Sequence, residues 1–239
     1  MAAMDTAARG LRAMIAGGEL VAGQQLLPEP ELCARLGVSR GSLREAVRSL
    51  AALGMLESRH GSGTYVSALH PAQMLGGFSA VVDVLPLDGL LELFDVRRAL
   101  ESHAASLAAA RADASVVERL RALHDRLVEA QQEDELHALD REFHATICRA
   151  SGNEALAALT EVLRSRGRHY SVYDTEQAAA VRRASDLGHE AVIHALSVRD
   201  PAAAAAAISA HLSQTETWLR RLRPAPSTEE PGLDEVPRA

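Results

Sequence analysis

The sequence predicts a mostly α-helical protein in two parts, an N-terminal winged helix-turn-helix and a C-terminal all-helical antiparallel bundle. Three observations carry this. Residues Glu31 to Val66, ELCARLGVSRGSLREAVRSLAALGMLESRHGSGTYV, read as two helices joined by a tight turn and followed by a glycine-tipped hairpin. From Asp88 onward the pattern is helical almost without a break, and its connections are short. Alanine is abundant and aromatics make up only 3% of the chain, which favours helix throughout. The expected divisions are 1–70 for the winged helix, 71–86 for a linker, 87–222 for the bundle and 223–239 for a disordered tail.

Taken in order, Thr6 to Ala16 is a helix whose apolar face is Leu11, Met14 and Ile15. Gly17-Gly18 ends it, and Val21-Ala22-Gly23 makes a turn. Pro28 suits the first turn of a second helix running to Leu36, with Gly37 as its C-cap. Ser39 is a natural N-cap for a third helix, which ends near Leu53-Gly54. Met55–Arg59 and Thr64–Ser67 read as short strands joined by His60-Gly61-Ser62-Gly63. Six helices follow: Asp88–Arg111, Ser115–Gln132, Glu133–Ala150, Glu154–Glu176, Ala179–Val198 and Pro201–Leu222. Asp88, Asp113, Ser151-Gly152-Asn153 and Asp200-Pro201 punctuate them. The tail holds four prolines and several acids.

Every one of the 25 basic residues is arginine, which together with the alanine content reads as a coding bias rather than a functional mark. The net charge of −7 divides unevenly: residues 1–70 carry +1 and residues 71–239 carry −8. Cys33 and Cys148 lie far apart inside helical patterns and read as free thiols. No apolar run is long enough to span a membrane, and no signal peptide opens the chain, so a cytoplasmic protein is expected.

In a winged helix-turn-helix the start of the second helix of the motif meets base edges and phosphates. Here those residues are Ser39, Arg40, Gly41, Ser42 and Arg44, with Arg48 one turn on. Arg40, Arg44 and Arg48 are spaced i, i+4, i+8 and share one face, while Val38, Leu43, Val47 and Leu50 form the apolar stripe opposite. Arginine can read guanine bidentately or bind phosphate without reading sequence. His60 and Gly61, at the hairpin tip, stand where a wing would touch DNA. A solvated arginine stripe is the plainer alternative for the helix alone; the hairpin at the right distance favours double-stranded DNA.

The residues Glu29, Glu31-Leu32, Leu36-Gly37-Val38-Ser39-Arg40, Leu43-Arg44-Glu45-Ala46, Leu50, Leu53-Gly54 and Gly61-Ser62-Gly63-Thr64-Tyr65-Val66 resemble the DNA-binding domain of the GntR superfamily of bacterial transcription regulators. Pro30 departs from that pattern, since a basic residue that can touch DNA commonly stands there. With +1 on the head, one copy should bind DNA poorly, so a homodimer on a near-palindromic operator is expected. The second part resembles the FadR-type branch, whose helical effector domain is called FCD. The cues are Leu93 to Glu101, Asp140-Arg141-Glu142-Phe143-His144, Gly188-His189-Glu190, and His211.

By spacing alone, Asp140 and His144 stand i, i+4 and could chelate one metal ion, though most such pairs are surface contacts. Spacing does not select partners for them among the 10 histidines. The resemblance does: many FCD domains hold a divalent metal through one Asp and three His, and the matching positions are Asp140, His144, His189 and His211. A mixed N and O set suits zinc, nickel or manganese and leaves positions open for a small carboxylate effector. Arg97 is the best second anchor for that carboxylate, unless it pairs with Asp95, Glu101 or another helix. Arg164, Arg168 and Tyr170 are weaker candidates on a helix that could face the same cavity. The resemblance implies a ligand-responsive transcription regulator, most often a repressor. A metal sensor is one alternative. A metal-dependent enzyme on the bundle is another, but neither a Glu-x-x-His pair nor a general base is evident.

Overall fold

The computed structural model describes residues 2–71, 75, 78, 81–165, 170 and 177–226. The chain folds as two compact units, Met1–Val81 and Val82–Ala239.

The first unit contains α1 (Ala2–Ala16), α2 (Glu29–Leu36), α3 (Arg40–Ala52), β1 (Leu56–Arg59) and β2 (Gly63–Val66). The first helix starts four residues before the expected Thr6. The Thr6 hydroxyl, inside the helix, donates back to the Ala2 carbonyl at 2.8 Å. Ala7, Leu11 and Met14 of α1 pack on Leu32 of α2 and on Leu43, Ala46 and Leu50 of α3. Gly37 ends α2 in the left-handed region, φ 66° and ψ 35°. Ser39 caps α3, accepting from the Ser42 amide at 3.2 Å.

The hairpin is antiparallel, with Leu56 opposite Val66 and Arg59 opposite Gly63, so its tip is His60-Gly61-Ser62. Residues 23–26 lace along its outer edge. The Gly23 amide donates to Val66 O at 2.9 Å, Val66 N to Gln24 O at 2.8 Å, and Leu26 N to Thr64 O at 2.8 Å. Gly63 is needed where Gln25 crosses it: φ is 114°, and an added Cβ would lie 2.6 Å from Gln25 Nε2.

The second unit contains α4 (Leu87–Arg111), α5 (Ala114–Glu129), α6 (Glu133–Ala150), α7 (Glu154–Arg164), α8 (Ala178–Ser197) and α9 (Pro201–Leu222). The long α4 is the central element, packed against α6, α7, α8 and α9. Its buried residues include Leu90, Leu91, Phe94, Arg97, Glu101, Ala104, Ala105 and Ala108. Asp113, Asn153 and Asp200 cap α5, α7 and α9 through their side chains. Asp88 does not cap α4, which begins one residue earlier behind Pro86; its carboxylate is held instead by Arg223 at 2.8 and 3.1 Å. Helix α5 stops at Glu129, short of the expected Gln132. Arg182 of α8 covers that end, donating to the carbonyls of Leu127, Val128 and Ala130.

The helix expected over 154–176 closes at Arg164, with Ser165 in a 3₁₀ turn; 166–169 and 171–176 lie outside the described residues. Of the expected linker, Pro71, Leu75, Phe78, Val81 and Val82 are helical. Of the expected tail, residues 227–239 lie outside the described residues, and Arg223 is tied to Asp88.

Candidate functional site

In the first unit, Ser39, Arg40, Gly41, Arg44 and Arg48 are exposed on α3, and Ser42 is half-buried beside the cap. Leu43, Ala46 and Leu50 bury the opposite face. Arg40 and Arg48 point their helix face to solvent; Arg44 is paired with Glu29 of α2. His60 and Gly61 are exposed at the hairpin tip. The tip is braced from behind, since Ser62 and Tyr65 share a hydrogen bond of 2.6 Å and the Arg59 guanidinium lies 4.2 Å from the Tyr65 ring centre. The result is an exposed helix face carrying three arginines and a hairpin whose tip is braced by side chains.

In the second unit, three helices converge on one cluster. Asp140 and His144 come from α6, His189 from α8 and His211 from α9. Each offers a donor atom, and these atoms all lie within 4.8 Å of one another. His144 and His189 are 1% exposed and His211 4%, while the Asp140 side chain keeps 26% at the surface. Asp140 Oδ1 stands 3.4 Å from His189 Nε2 and 3.7 Å from His144 Nε2. The His189 and His211 ring centres are 4.6 Å apart. Phe143 closes the cluster from the side, 4.3 Å from the His189 ring.

A glycine makes this convergence possible. Helix α8 carries Gly188 where His211 of α9 presses against it. A Cβ there would meet His211 Nδ1 at 2.6 Å, Cγ at 3.1 Å and Cβ at 3.2 Å. Glycine inside a helix is unfavourable by roughly 0.5–1 kcal/mol relative to alanine, so its presence at this position follows from the close approach.

The electrostatics are set by two carboxylates and two guanidiniums. Glu101 of α4 accepts from His144 Nδ1 at 2.9 Å. It also receives Arg97 Nε at 2.9 Å and Arg164 Nη1 at 3.1 Å. Arg164 extends its other nitrogen to Asp140 Oδ2 at 2.6 Å. Burial alone would raise the Glu101 pKa, but Arg164, Arg97 and His144 outweigh it and hold the carboxyl well below the usual range. Asp140 is likewise raised by burial and lowered further by His144, His189 and Arg164, so it is ionised. Burial, reinforced by Arg164, pushes His144 down to about 4. Burial and the neighbouring imidazoles hold His211 well below 6.5. At neutral pH these two rings are therefore uncharged, the state in which imidazole ligates a metal.

The donor set fits a divalent cation. An ionised Glu101 makes His144 Nδ1 the N–H donor, which leaves Nε2 as a bare lone pair. That Nε2, both nitrogens of His189 and His211 Nδ1 are buried and make no hydrogen bond to the described residues. Buried polar atoms without partners are rare and call for one.

Arg97 is buried and paired with Glu101, with its guanidinium 4.5 Å from the Phe94 ring centre. It reaches the cluster through Glu101. Tyr170 is buried in a separate apolar group with Leu87, Leu90, Phe94 and Leu219, and its hydroxyl donates to Leu85 O at 3.3 Å. Arg168 lies outside the described residues. Glu101 received no role from sequence beyond a possible partner for Arg97, yet it orients His144. Its i, i+4 offset from Arg97 was the available signal. His124 and Asp186 stand beside His189, and nothing in their spacing along the chain marks them.

A helix-turn-helix head with a wing, joined to a helical bundle with a buried polar cluster, defines a DNA-binding regulator with a sensory domain. The profile "Bacterial regulatory proteins, gntR family" matches residues 3–66, and "FCD domain" matches residues 92–214. The chain belongs to the GntR family of bacterial transcription regulators and carries an FCD effector domain. It is 30% identical over 212 residues to the HTH-type transcriptional regulator LutR of Bacillus subtilis (strain 168), covering 86% of this chain and 96% of that protein. It is 32% identical over 224 residues to the putative L-lactate dehydrogenase operon regulatory protein of Escherichia coli (strain K12), covering 91% and 86%. Among solved structures, Streptococcus agalactiae GntR is 31% identical with a TM-score of 0.58, covering 90% of this chain and 99% of that one. The protein is thus a regulator that binds DNA and not an enzyme. Among the described residues no helix is long and apolar enough to cross a membrane.

Proposed function

We propose that this regulator is a homodimeric repressor whose helical domain holds a divalent metal through Asp140, His144, His189 and His211 and takes up a small organic acid beside it. One observation carries the reading: buried imidazole nitrogens without partners stand around an ionised carboxylate, and Glu101 fixes the tautomer of one ring. Zinc, nickel or manganese suits such a set. When bound, the ion supplies open positions for a carboxylate or hydroxyl oxygen. Arg164, already spanning Asp140 and Glu101, and Arg97 behind it, are the cations nearest an incoming carboxylate. The Escherichia coli relative is named for an L-lactate dehydrogenase operon, which makes a 2-hydroxy acid the first effector to try.

On the DNA side, Ser39, Arg40, Gly41, Ser42, Arg44 and Arg48 enter the major groove, and His60 and Gly61 meet the flanking backbone. Two copies are needed because one head carries only +1, which is a weak footprint on phosphate. The effector changes DNA affinity only to the extent that it binds the two arrangements of the dimer unequally.

The test uses metal-stripped full-length protein reloaded with zinc. Calorimetry should show one tight equivalent that His189→Ala removes, while the head still binds DNA non-specifically. L-lactate should raise the Tm of the loaded wild type and shift its affinity for an operator selected from random DNA. Unchanged metal content in His189→Ala would overturn the ligand assignment.

A further inference from the structure

His189 also belongs to a second group of metal-ligating side chains, drawn from α5 and α8. Donor atoms of His124, Asp186 and His189 also lie within 4.8 Å of one another. His124 comes from α5 and is buried; Asp186 stands one turn before His189 and is half-buried. The His124 and His189 rings meet edge to face with centres 6.0 Å apart. His124 Nδ1 is buried without a hydrogen-bond partner among the described residues, and so is His189 Nδ1. His124 Nε2 faces the exposed carboxylate of Glu190 at 3.6 Å.

His189 Nε2 is the nitrogen that faces Asp140, so Nδ1 is left for the second group. We propose that His124, Asp186 and His189 form a second divalent-cation site, occupied as an alternative to the cluster of Asp140, His144, His189 and His211. The two exclude each other because a neutral imidazole has one lone pair. With the proton on Nδ1, His189 ligates through Nε2 on the Asp140 side. With the proton on Nε2, it ligates through Nδ1 beside His124 and Asp186. The change of tautomer moves one proton between the ring nitrogens through solvent and leaves the net charge unaltered. Two imidazoles and one carboxylate are a three-ligand set, with the remaining positions open to water. The shared residue ties this site to the one proposed above, but the other ligands differ, so the two fail separately.

The experiment is zinc titration of metal-stripped full-length protein, followed by calorimetry and native mass spectrometry. Wild type should take one equivalent. His144→Ala/His211→Ala should still take one, more weakly, and adding Asp186→Asn should abolish it. No binding by the folded double variant, or binding that survives Asp186→Asn, overturns the second site. If the double variant retains the tight wild-type equivalent, the first site fails instead. Should the double variant not fold, Asp140→Asn/His144→Gln provides the background, again with and without Asp186→Asn. The rival is that Asp186 merely orients His189 for the first site. In that case Asp186→Asn alone would lower wild-type affinity about 10–100-fold and no variant lacking the first site would bind zinc.

Discussion

The Glu29 carboxylate grips Arg44 with both oxygens, accepting from Nε at 2.9 Å and from Nη2 at 3.0 Å. Glu29 opens α2 and Arg44 lies in the second turn of α3, so the pair spans the two helices of the motif. Both side chains are exposed, so the pair contributes little to stability. Its importance lies in aim: a guanidinium held from behind presents its free edge outward. Arg44→Ala should leave the Tm unchanged and cost about 1–3 kcal/mol of operator affinity, read by gel shift. Glu29→Ala should keep affinity for random DNA but narrow the gap between operator and scrambled sequence. An unchanged gap would mean the pair has no orienting role.

Gly188→Ala should expel His211 from the cluster, because the added methyl would stand 2.6 Å from the ring. Helix propensity favours alanine by about 1 kcal/mol, so helicity should hold while zinc uptake falls. Circular dichroism and calorimetry on the same sample separate the two effects. Full zinc affinity in this variant would show that His211 is not a ligand.

Glu101 separates two roles according to how it is replaced. Glu101→Gln keeps its shape and an acceptor for His144 Nδ1 but removes the charge, and zinc affinity should drop about 10–100-fold. Glu101→Ala strands Arg97 and Arg164 in the interior, which costs about 3–5 kcal/mol. Urea unfolding should register both, since either change leaves Arg97 and Arg164 without the Glu101 charge, and Glu101→Ala the more, because it also removes their acceptor.

The metal-free protein should lose stability in mild acid. His144 has a folded pKa of about 4, whereas an imidazole in the unfolded chain titrates near 6.5. Between those values the unfolded chain binds more protons, so stability falls as pH drops from about 6.5 toward 4. The difference across that window is on the order of 3 kcal/mol. Glu101 and Asp140, both held low, act in the same direction at still lower pH. Urea midpoints at pH 7.5 and 4.5 measure this; equal midpoints would mean that the fold does not hold His144 in its neutral form.

The helices were legible because alanine-rich amphipathic stretches and side-chain caps are local signals. Asp113, Asn153 and Asp200 each sit directly before a helix and bond its first amides. Asp88 misled for the same reason, since nothing local reveals that Arg223, far along the chain, takes its carboxylate. The lacing of residues 23–26 onto the hairpin was likewise hidden, being a pairing between segments far apart in the chain with no periodicity to mark it. Asp140 with His144 could be read from one helical turn, but His189 and His211 came only from resemblance. Glu101, His124 and Asp186 belong to packing between helices, which composition and spacing do not encode.

The side chains of Arg97, Arg164, Glu101 and Asp140 form a closed set: two positive and two negative charges with neutral His144 and His211 among them. As it stands, that interior is electroneutral. A dication entering it would leave an excess of two positive charges in a poorly solvated space, where unbalanced charge is costly. An anion following it in reduces that imbalance, whereas a neutral ligand leaves it unchanged. Were a divalent ion held there, a preference for acids over their neutral amides or esters would arise from its valence, before any particular arginine makes contact.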